Sequence, residues 1–221
     1  FVIGWPLIIV ATLFTAIFPI ICFPWKNGKA PRTIQVLWSR SVLWFLLVPI
    51  KVTGTENVNP NQSYVFVANH QSFLDVFAMY GWLPNNFKWL MKKERRKVPF
   101  VGTACHVAGH IFVDRSNPRA ALQSVELVKK ELVDGISTVI FPEGTRNKGE
   151  ELSMLPFHAG SFKIATKSGA PLVITTVDNT NHVHRNAPFK RTVVTLDICE
   201  VIPAEKVSTL GTNELSQLTR K

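Results

Sequence analysis

Short apolar runs alternate with segments of helical periodicity from residue 64 onward, and this alternation limits the fold more than any other feature. The strand candidates are YVFVA (64–68), FKWLM (87–91), HIFVD (110–114), ISTVIF (136–141), PLVITTV (171–177) and TVVTLDICEVI (192–202). The clearest helix, predicted over 117–135, has an apolar face made of Leu122, Val125, Val128 and Leu132. Strands that alternate with helices predict an α/β fold, with a largely parallel sheet and helices on both faces.

The N-terminal part of the chain is apolar enough to interact with a membrane. Residues 1–25 contain no charged side chain and are long enough to span a bilayer. A second apolar stretch, 36–50, is interrupted by Arg40 and suits a re-entrant or interfacial helix. Two interpretations stay open: two helices that dip into the membrane, or one span followed by a core helix. We predict an N-terminal membrane-associated element over 1–50 and an α/β domain over 51–221.

Charge and composition narrow the class of partner. The chain has 25 Lys and Arg against 15 Asp and Glu, a net charge of +10, while charged residues make up only 18% of it. A basic balance favours an anionic partner, and the apolar bias favours a membrane over nucleic acid. The basic WKNGKAPR segment between the two apolar stretches indicates the cytoplasmic side. Three widely spaced cysteines without a CxxC motif argue against a disulfide framework or a zinc site.

Polar clusters follow three of the predicted strands. NHQSFLD follows YVFVA, Asp114 and Arg115 follow HIFV, and PEGTR follows ISTVIF. Because ligands of parallel α/β sheets bind beyond the carboxyl ends of the strands, one pocket can collect all three clusters.

His70 and Asp75 in the first cluster are five positions apart. On one regular helix they would be about 140° apart and unable to bond. They can form a couple only if His70 lies on the loop after the strand and Asp75 on the first turns of the helix. Asp75 would then orient the imidazole and leave its other nitrogen as a base. The alternative is an ordinary structural histidine.

The other basic clusters suit phosphate. In FPEGTR, Pro142 and Gly144 force a tight loop that projects Arg146, whose planar fork matches phosphate, and Glu143 can hold either the loop or the arginine. A salt-bridged turn is the alternative. The segment 88–97, KWLMKKERRK, can form a phosphate-binding wall, a band on anionic lipid or a solvated helix face. No P-loop or GxGxxG motif occurs.

Together these clusters resemble the lysophospholipid and glycerol-phosphate acyltransferase family over about residues 52–180. NHQSFLD resembles its H-x4-D block, FPEGTR its third block and APLVITTV its apolar fourth block. A basic block of the family matches in spacing at Lys92, Gly102 and Arg115. Two departures stand out: Arg95 replaces an expected leucine, and Thr175 or Thr176 stands where a second proline is usual.

The resemblance implies transfer of an acyl group from acyl-CoA or acyl-carrier protein to the sn-2 hydroxyl of 1-acyl-sn-glycerol-3-phosphate, giving phosphatidic acid. His70 would be the general base and Asp75 its orienting partner. The residues implied for the acceptor's phosphate are Lys92, Arg115 and Arg146, in a pocket shaped by Glu143, Gly144 and Thr145. No metal or bound cofactor is implied.

The implied partners are a phospholipid membrane, a lysophospholipid acceptor and the acyl donor, without nucleic acid. The implied location is the cell membrane, with the active site on its cytoplasmic side. Glycerol-3-phosphate or another lysophospholipid stays open as the acceptor. A membrane-associated lipid hydrolase that uses His70 with water or Ser72 is a less favoured alternative, because no GxSxG elbow surrounds Ser72. A non-catalytic lipid-binding protein is a third.

Overall fold

The computed structural model describes residues 6, 32–99, 101–114, 118–147, 154–183 and 191–220. Apart from Pro6, the predicted membrane segment 1–25 lies outside the described residues, and so does Arg115.

The described part of the chain forms a seven-stranded sheet with the order β1-β7-β6-β2-β5-β3-β4. The strands are β1 (Ile50–Thr53), β2 (Val65–Ala68), β3 (Phe87–Lys92), β4 (Ile111–Val113), β5 (Ser137–Ile140), β6 (Leu172–Asp178) and β7 (Val194–Ile202). All neighbours pair in parallel except β6 and β7, which are antiparallel. The predicted α/β class and the largely parallel sheet are therefore confirmed, with β1 and β7 running against the other strands.

Helices cover both faces of this sheet. They are α1 (Arg32–Phe45), α2 (Leu74–Trp82), α3 (Val101–Val107), α4 (Pro118–Val133), α5 (Ala159–Ser168), α6 (Ala204–Thr209) and α7 (Thr212–Leu218). Two short 3-10 segments, Thr55–Asn57 and Lys93–Lys97, follow β1 and β3.

The alternation of side chains along β2 shows how the two faces are filled. Phe66 and Ala68 belong to one buried cluster with residues of α1 and α2, whereas Val65 and Val67 belong to a second cluster with residues of α4 and α5. Burial on both faces explains why this central strand is an uninterrupted apolar run. On α4, Val125, Val128 and Leu132 are buried as predicted, but Leu122 is half exposed.

The second apolar stretch forms most of α1, which packs against α2 and buries Val42 and Leu43 in the domain core. Arg40, which interrupts the stretch, donates from Nε to the carbonyl of Gly81 at 2.9 Å, near the C-terminus of α2. A cation at that end of a helix also complements the helix dipole. Among the described residues, no helix is both long and apolar enough to cross a membrane. The membrane-embedded element and the domain division at residue 51 stay predictions.

Candidate active site

His70 and Asp75 are held together across the junction between β2 and α2. Nδ1 of His70 lies 2.8 Å from Oδ2 of Asp75, with His70 on the loop after β2 and Asp75 in the first turn of α2. The structure thus has the loop-and-helix arrangement that the spacing required. The Asp75 side chain is fully buried, whereas the His70 side chain is 15% exposed. The imidazole is therefore fixed on one side and accessible on the other.

The Asp75 carboxylate is bound on both oxygens. Oδ2 accepts the backbone N–H groups of Gln71 and Ser72 at 2.7 and 2.9 Å, in addition to the bond with His70. Oδ1 accepts the hydroxyl of Thr180, a fully buried residue just after β6. Hydrogen bonds of this kind stabilise a buried carboxylate in its charged form. The proton between Asp75 and His70 then belongs on Nδ1, which leaves Nε2 as the proton acceptor.

The PEGTR loop braces the His70 loop from the neighbouring strand β5. Oε1 of Glu143 accepts the backbone N–H of His70 at 2.9 Å, and Oε2 accepts that of Leu155 at the same distance. The backbone N–H of Asn147 donates to the carbonyl of His70 at 2.7 Å. Glu143 is only 2% exposed. Of the two tasks open to it, Glu143 therefore holds the loop.

Two aromatic rings stack in sequence on one face of the imidazole. The His70 ring stacks on Phe141 with centroids 4.1 Å apart and an interplanar angle of 6°, and Phe141 in turn stacks on Trp89 at 4.9 Å. The face of an aromatic ring attracts a positive charge. The stack of Phe141 and Trp89 can therefore stabilise the imidazolium that forms when Nε2 of His70 takes a proton.

Asn69 ties the same loop to β6. Its side-chain amide donates to the carbonyl of Val177 at 2.9 Å, and its side-chain oxygen accepts the N–H of Val177 at 2.8 Å. Asn69 therefore fixes the loop to β6. The residue before the first turn of α2 is Phe73, which supplies no side-chain cap, and the hydroxyl oxygen of Ser72 accepts the N–H of Leu74 at 3.3 Å.

The described members of the predicted phosphate-binding set lie at or after the carboxyl ends of β3 and β5. Lys92 ends β3 with its side chain 53% exposed and pairs with Glu94 at 3.6 Å. Thr145 and Arg146 are exposed on the loop after β5. Gly144 has a φ of 67°, in the left-handed region that favours glycine. Arg115, the remaining cation, lies outside the described residues.

The geometry adds Thr180 and Phe141 to the predicted residues of the site. Phe141 begins the FPEGTR motif, where the sequence predicts only the end of a strand. Thr180 had no signal beyond its place after a predicted strand, because its partner Asp75 is 105 positions away. Only the adjacency of β2 and β6 reveals that pairing.

Two clefts on the described surface lie away from His70. One is lined by residues of α4 and α5, and the other lies near the start of β6. The described residues include no group of three or more His, Cys, Asp or Glu placed to hold a metal ion.

The chain is similar to known acyltransferases. It is 33% identical over 177 residues to a 1-acyl-sn-glycerol-3-phosphate acyltransferase of Saccharomyces cerevisiae, covering 77% of this chain and 57% of that protein. A Cocos nucifera protein of the same name is 32% identical over 167 residues, covering 74% and 53%. The human alpha form is 37% identical over 127 residues, covering 57% and 44%. The chain thus spans about half the length of these curated relatives.

The fold is also that of a solved structure. The crystal structure of the 1-acyl-sn-glycerophosphate (LPA) acyltransferase PlsC from Thermotoga maritima has a TM-score of 0.71 and 24% identity, and the match covers 96% of this chain and 87% of that one. The family model described as Acyltransferase matches residues 49–177, more than half of the chain. This stretch contains His70, Asp75 and the PEGTR loop. The chain therefore belongs to the acyltransferase family.

Proposed function

We propose that the protein transfers a fatty acyl group from an acyl thioester to the free sn-2 hydroxyl of 1-acyl-sn-glycerol-3-phosphate, giving phosphatidic acid. The observation that carries the proposal is the 2.8 Å contact between His70 Nδ1 and the fully buried Asp75, with the other side of the imidazole accessible. The names of the relatives support the choice of acceptor.

One proton moves to His70 and away from it again in this reaction. Nε2 of His70 takes the proton of the acceptor hydroxyl as that oxygen attacks the thioester carbonyl. The C–S bond then breaks, and the leaving thiolate takes the proton back from His70. Asp75 stays charged throughout and keeps Nδ1 protonated. The nucleophile comes from the acceptor, so Ser72, which is buried and accepts the N–H of Leu74, is not needed as one.

The acceptor's phosphate would bind to the cations at or after the carboxyl ends of β3 and β5. Lys92 and Arg146 are exposed there, and we assign Arg115 to the same role. Gly144 and Thr145 would shape the loop that presents Arg146, and Glu143 would hold that loop against His70 through its bond to the His70 backbone. A planar guanidinium such as that of Arg146 can bind a phosphate through two parallel hydrogen bonds.

The protein would work at a cell membrane, with its active site on the cytoplasmic side. The uncharged segment 1–25 supports this proposal, and so do exposed apolar side chains on the described surface at Leu37, Trp44, Leu47 and Phe73. Phe73 lies three residues after His70. The acyl donor would be acyl-CoA or acyl-carrier protein, and the reaction needs no bound metal or cofactor.

A transfer assay with the purified full chain tests the proposal. Lysophosphatidate, glycerol-3-phosphate and a neutral lysolipid are each combined with both donors, and product and free fatty acid are measured. We expect transfer to lysophosphatidate and its loss in His70→Ala. His106→Ala, at an exposed histidine, is the control and keeps activity. Fatty acid released without an acceptor would show a hydrolase, and near-normal turnover of His70→Ala would refute the assignment of the base.

A further inference from the structure

We propose that Thr180 is a positioning residue of the active site, which fixes the Asp75 carboxylate so that Oδ2 faces His70. The inference rests on the proposed function for its effect on rate, but its structural part can be tested without turnover. Thr180 lies just after β6. It would be the third residue of a site whose other two, His70 and Asp75, lie after β2 and in α2.

The two oxygens of Asp75 have unequal sets of donors. Oδ2 receives the His70 ring and two backbone N–H groups, all from residues 70–72 of the adjoining loop. Oδ1 receives the Thr180 hydroxyl, and within the described part of the chain no other donor reaches this oxygen. A carboxylate can rotate about its bond to Cβ, so donors on one oxygen alone do not fix its plane. Thr180 supplies the second point that does.

The turn after β6 is built to deliver this hydroxyl. Asn179 has a φ of 65°, in the left-handed region that asparagine tolerates better than most residues. Its backbone N–H donates to the side chain of Asp178 at 2.8 Å, and its carbonyl accepts the backbone N–H of His182 at 3.1 Å, which closes the turn. Just before it, Val177 is bound on both backbone groups by Asn69. The end of β6 is thereby tied to the His70 loop by Asn69, and the turn after β6 is tied to the first turn of α2 by Thr180.

Removing the hydroxyl would leave a charged oxygen in the interior without a described donor. Asp75 and Thr180 are both fully buried, and an unpaired charged atom in such a place is unfavourable. The carboxylate would turn to find another donor and lose its alignment with His70. Loss of an outer hydrogen-bond partner of an oriented histidine costs roughly 10- to 100-fold in metal sites, and we expect a fall in kcat of that order here.

Two substitutions at Thr180 separate positioning from packing. Thr180→Val keeps the shape and removes the hydroxyl, whereas Thr180→Ser keeps the hydroxyl and removes a methyl. Thr175→Val is the matched control, because Thr175 is also buried on β6 and its hydroxyl has no partner among the described residues. All three are compared with the unchanged full chain in detergent micelles. Thr180→Ala replaces the valine variant if the latter does not fold.

The measurements are kcat, KM and the downfield proton resonance of His70 Nδ1–H, which is identified by its absence in His70→Ala. We expect Thr180→Val to lower kcat with little change in KM and to shift or broaden the resonance. Thr180→Ser and Thr175→Val should match the unchanged chain in kcat and in the resonance. In an Asp75→Asn background, Thr180→Val should have no further effect on kcat, since the two residues act as one unit.

An unchanged resonance and kcat in Thr180→Val would overturn the inference. So would equal losses in the valine and serine variants, since these would indicate packing alone. If the unchanged chain transfers no acyl group, the proposed function fails, but the resonance still reports whether Thr180 controls the bond between His70 and Asp75. The two proposals therefore fail in different ways.

Discussion

His110 is a buried histidine directly before β4. Its Nδ1 accepts the backbone N–H of Trp89 at 3.4 Å, so Nε2 carries the proton and donates to the hydroxyl oxygen of Tyr80 at 2.6 Å. Burial, and then the nearby charge of Lys88, lower the pKa of His110 to about 3. The folded protein therefore holds this ring neutral through the whole range in which a free histidine would titrate.

This histidine predicts a specific loss of stability in acid. Above pH 6.5 the ring is neutral in both the folded and the unfolded chain, so it contributes no pH dependence. Below that value the unfolded chain takes up a proton that the folded chain refuses, and the free energy of unfolding falls by about 1.4 kcal/mol per pH unit until about pH 3. Other groups titrate in the same range, so the measurement is a difference between variants.

Urea denaturation of the unchanged chain and of His110→Gln at a series of pH values isolates this effect. Between about pH 7 and pH 5 we expect the unchanged chain to lose about 2 kcal/mol more than the variant, because glutamine has no proton to take up in this range. The prediction is contradicted if the free energies of unfolding of the two proteins fall in parallel with pH. The folded chain would then already protonate His110, or the unfolded chain would prevent its protonation.

The residues of the site differ in how far the sequence could predict them. His70 and Asp75 were predictable because their spacing allowed only one bonded arrangement, and the structure has that arrangement. For Glu143 the sequence allows two tasks, to hold the loop or to hold the arginine. A motif shows that a carboxylate is near, but not which N–H groups donate to it. Thr180 was beyond prediction, because a contact across two strands depends on the order of the sheet.

At the scale of secondary structure, α3 and the basic 3-10 segment Lys93–Lys97 form one unit at the end of β3. The backbone N–H of Gly102 donates to the carbonyl of Val98 at 2.8 Å. A Cβ at Gly102 would lie 2.1 Å from the backbone oxygen of Arg96, closer than any real contact allows. The glycine therefore lets the helix approach the 3-10 segment and sets the position of the basic side chains.

Gly102→Ala should separate these two elements. We expect a loss of about 1–3 kcal/mol in the free energy of unfolding, as for overpacked sites, because the neighbouring atom is backbone and cannot rotate away. Gly160→Ala in α5 is the control, since a Cβ there meets no described atom within 4 Å, and it should gain up to about 1 kcal/mol from helix propensity. Thermal or urea denaturation checks both. Equal stability of the two variants would contradict the close approach.

The elements that the sequence revealed were those whose burial leaves a periodic pattern. The strands β2 and β5 are buried at every position, so their apolar runs stand out. β1 was missed because Ile50–Thr53 alternates between exposed and half-buried residues and lies where the sequence becomes polar and rich in turns. α6 was missed for a similar reason, since it has six residues and a single buried side chain, Val207. Short elements at the margin of a sheet carry too few positions to show a period.

At the scale of the whole molecule, two groups of cations lie at opposite ends of the parallel strands. The 3-10 segment Lys93–Lys97 follows the carboxyl end of β3, at the end where His70 lies. Lys129 and Lys130, near the end of α4, and Lys167, near the end of α5, lie at the other end, because those helices lead back to the starts of β5 and β6. If the site faces an anionic membrane, only the first group of charges should contribute to binding.

Two triple variants of the full chain test this. Replacing Arg95, Arg96 and Lys97 by glutamine should weaken binding to anionic vesicles at low salt by about 100-fold, at about 1 kcal/mol for each cation near the surface. Replacing Lys129, Lys130 and Lys167 by glutamine removes the same charge and should have little effect. Co-sedimentation with anionic and zwitterionic vesicles measures both. Equal losses would mean that binding follows net charge and not the orientation of the molecule.

The position of β7 has a consequence for how the molecule is made. β1 pairs with β7, with Ile50 opposite Val194, so its partner is synthesised about 140 residues after it. The strands that carry the site, β2, β5 and β6, pair with one another without β7. During synthesis on a ribosome, the site around His70 can therefore assemble while β1 still lacks its partner. Pairings between strands close in sequence form before pairings between distant strands. The pairing of β1 with β7 is therefore a late step, and the nascent chain exposes β1 as an unpaired strand until then.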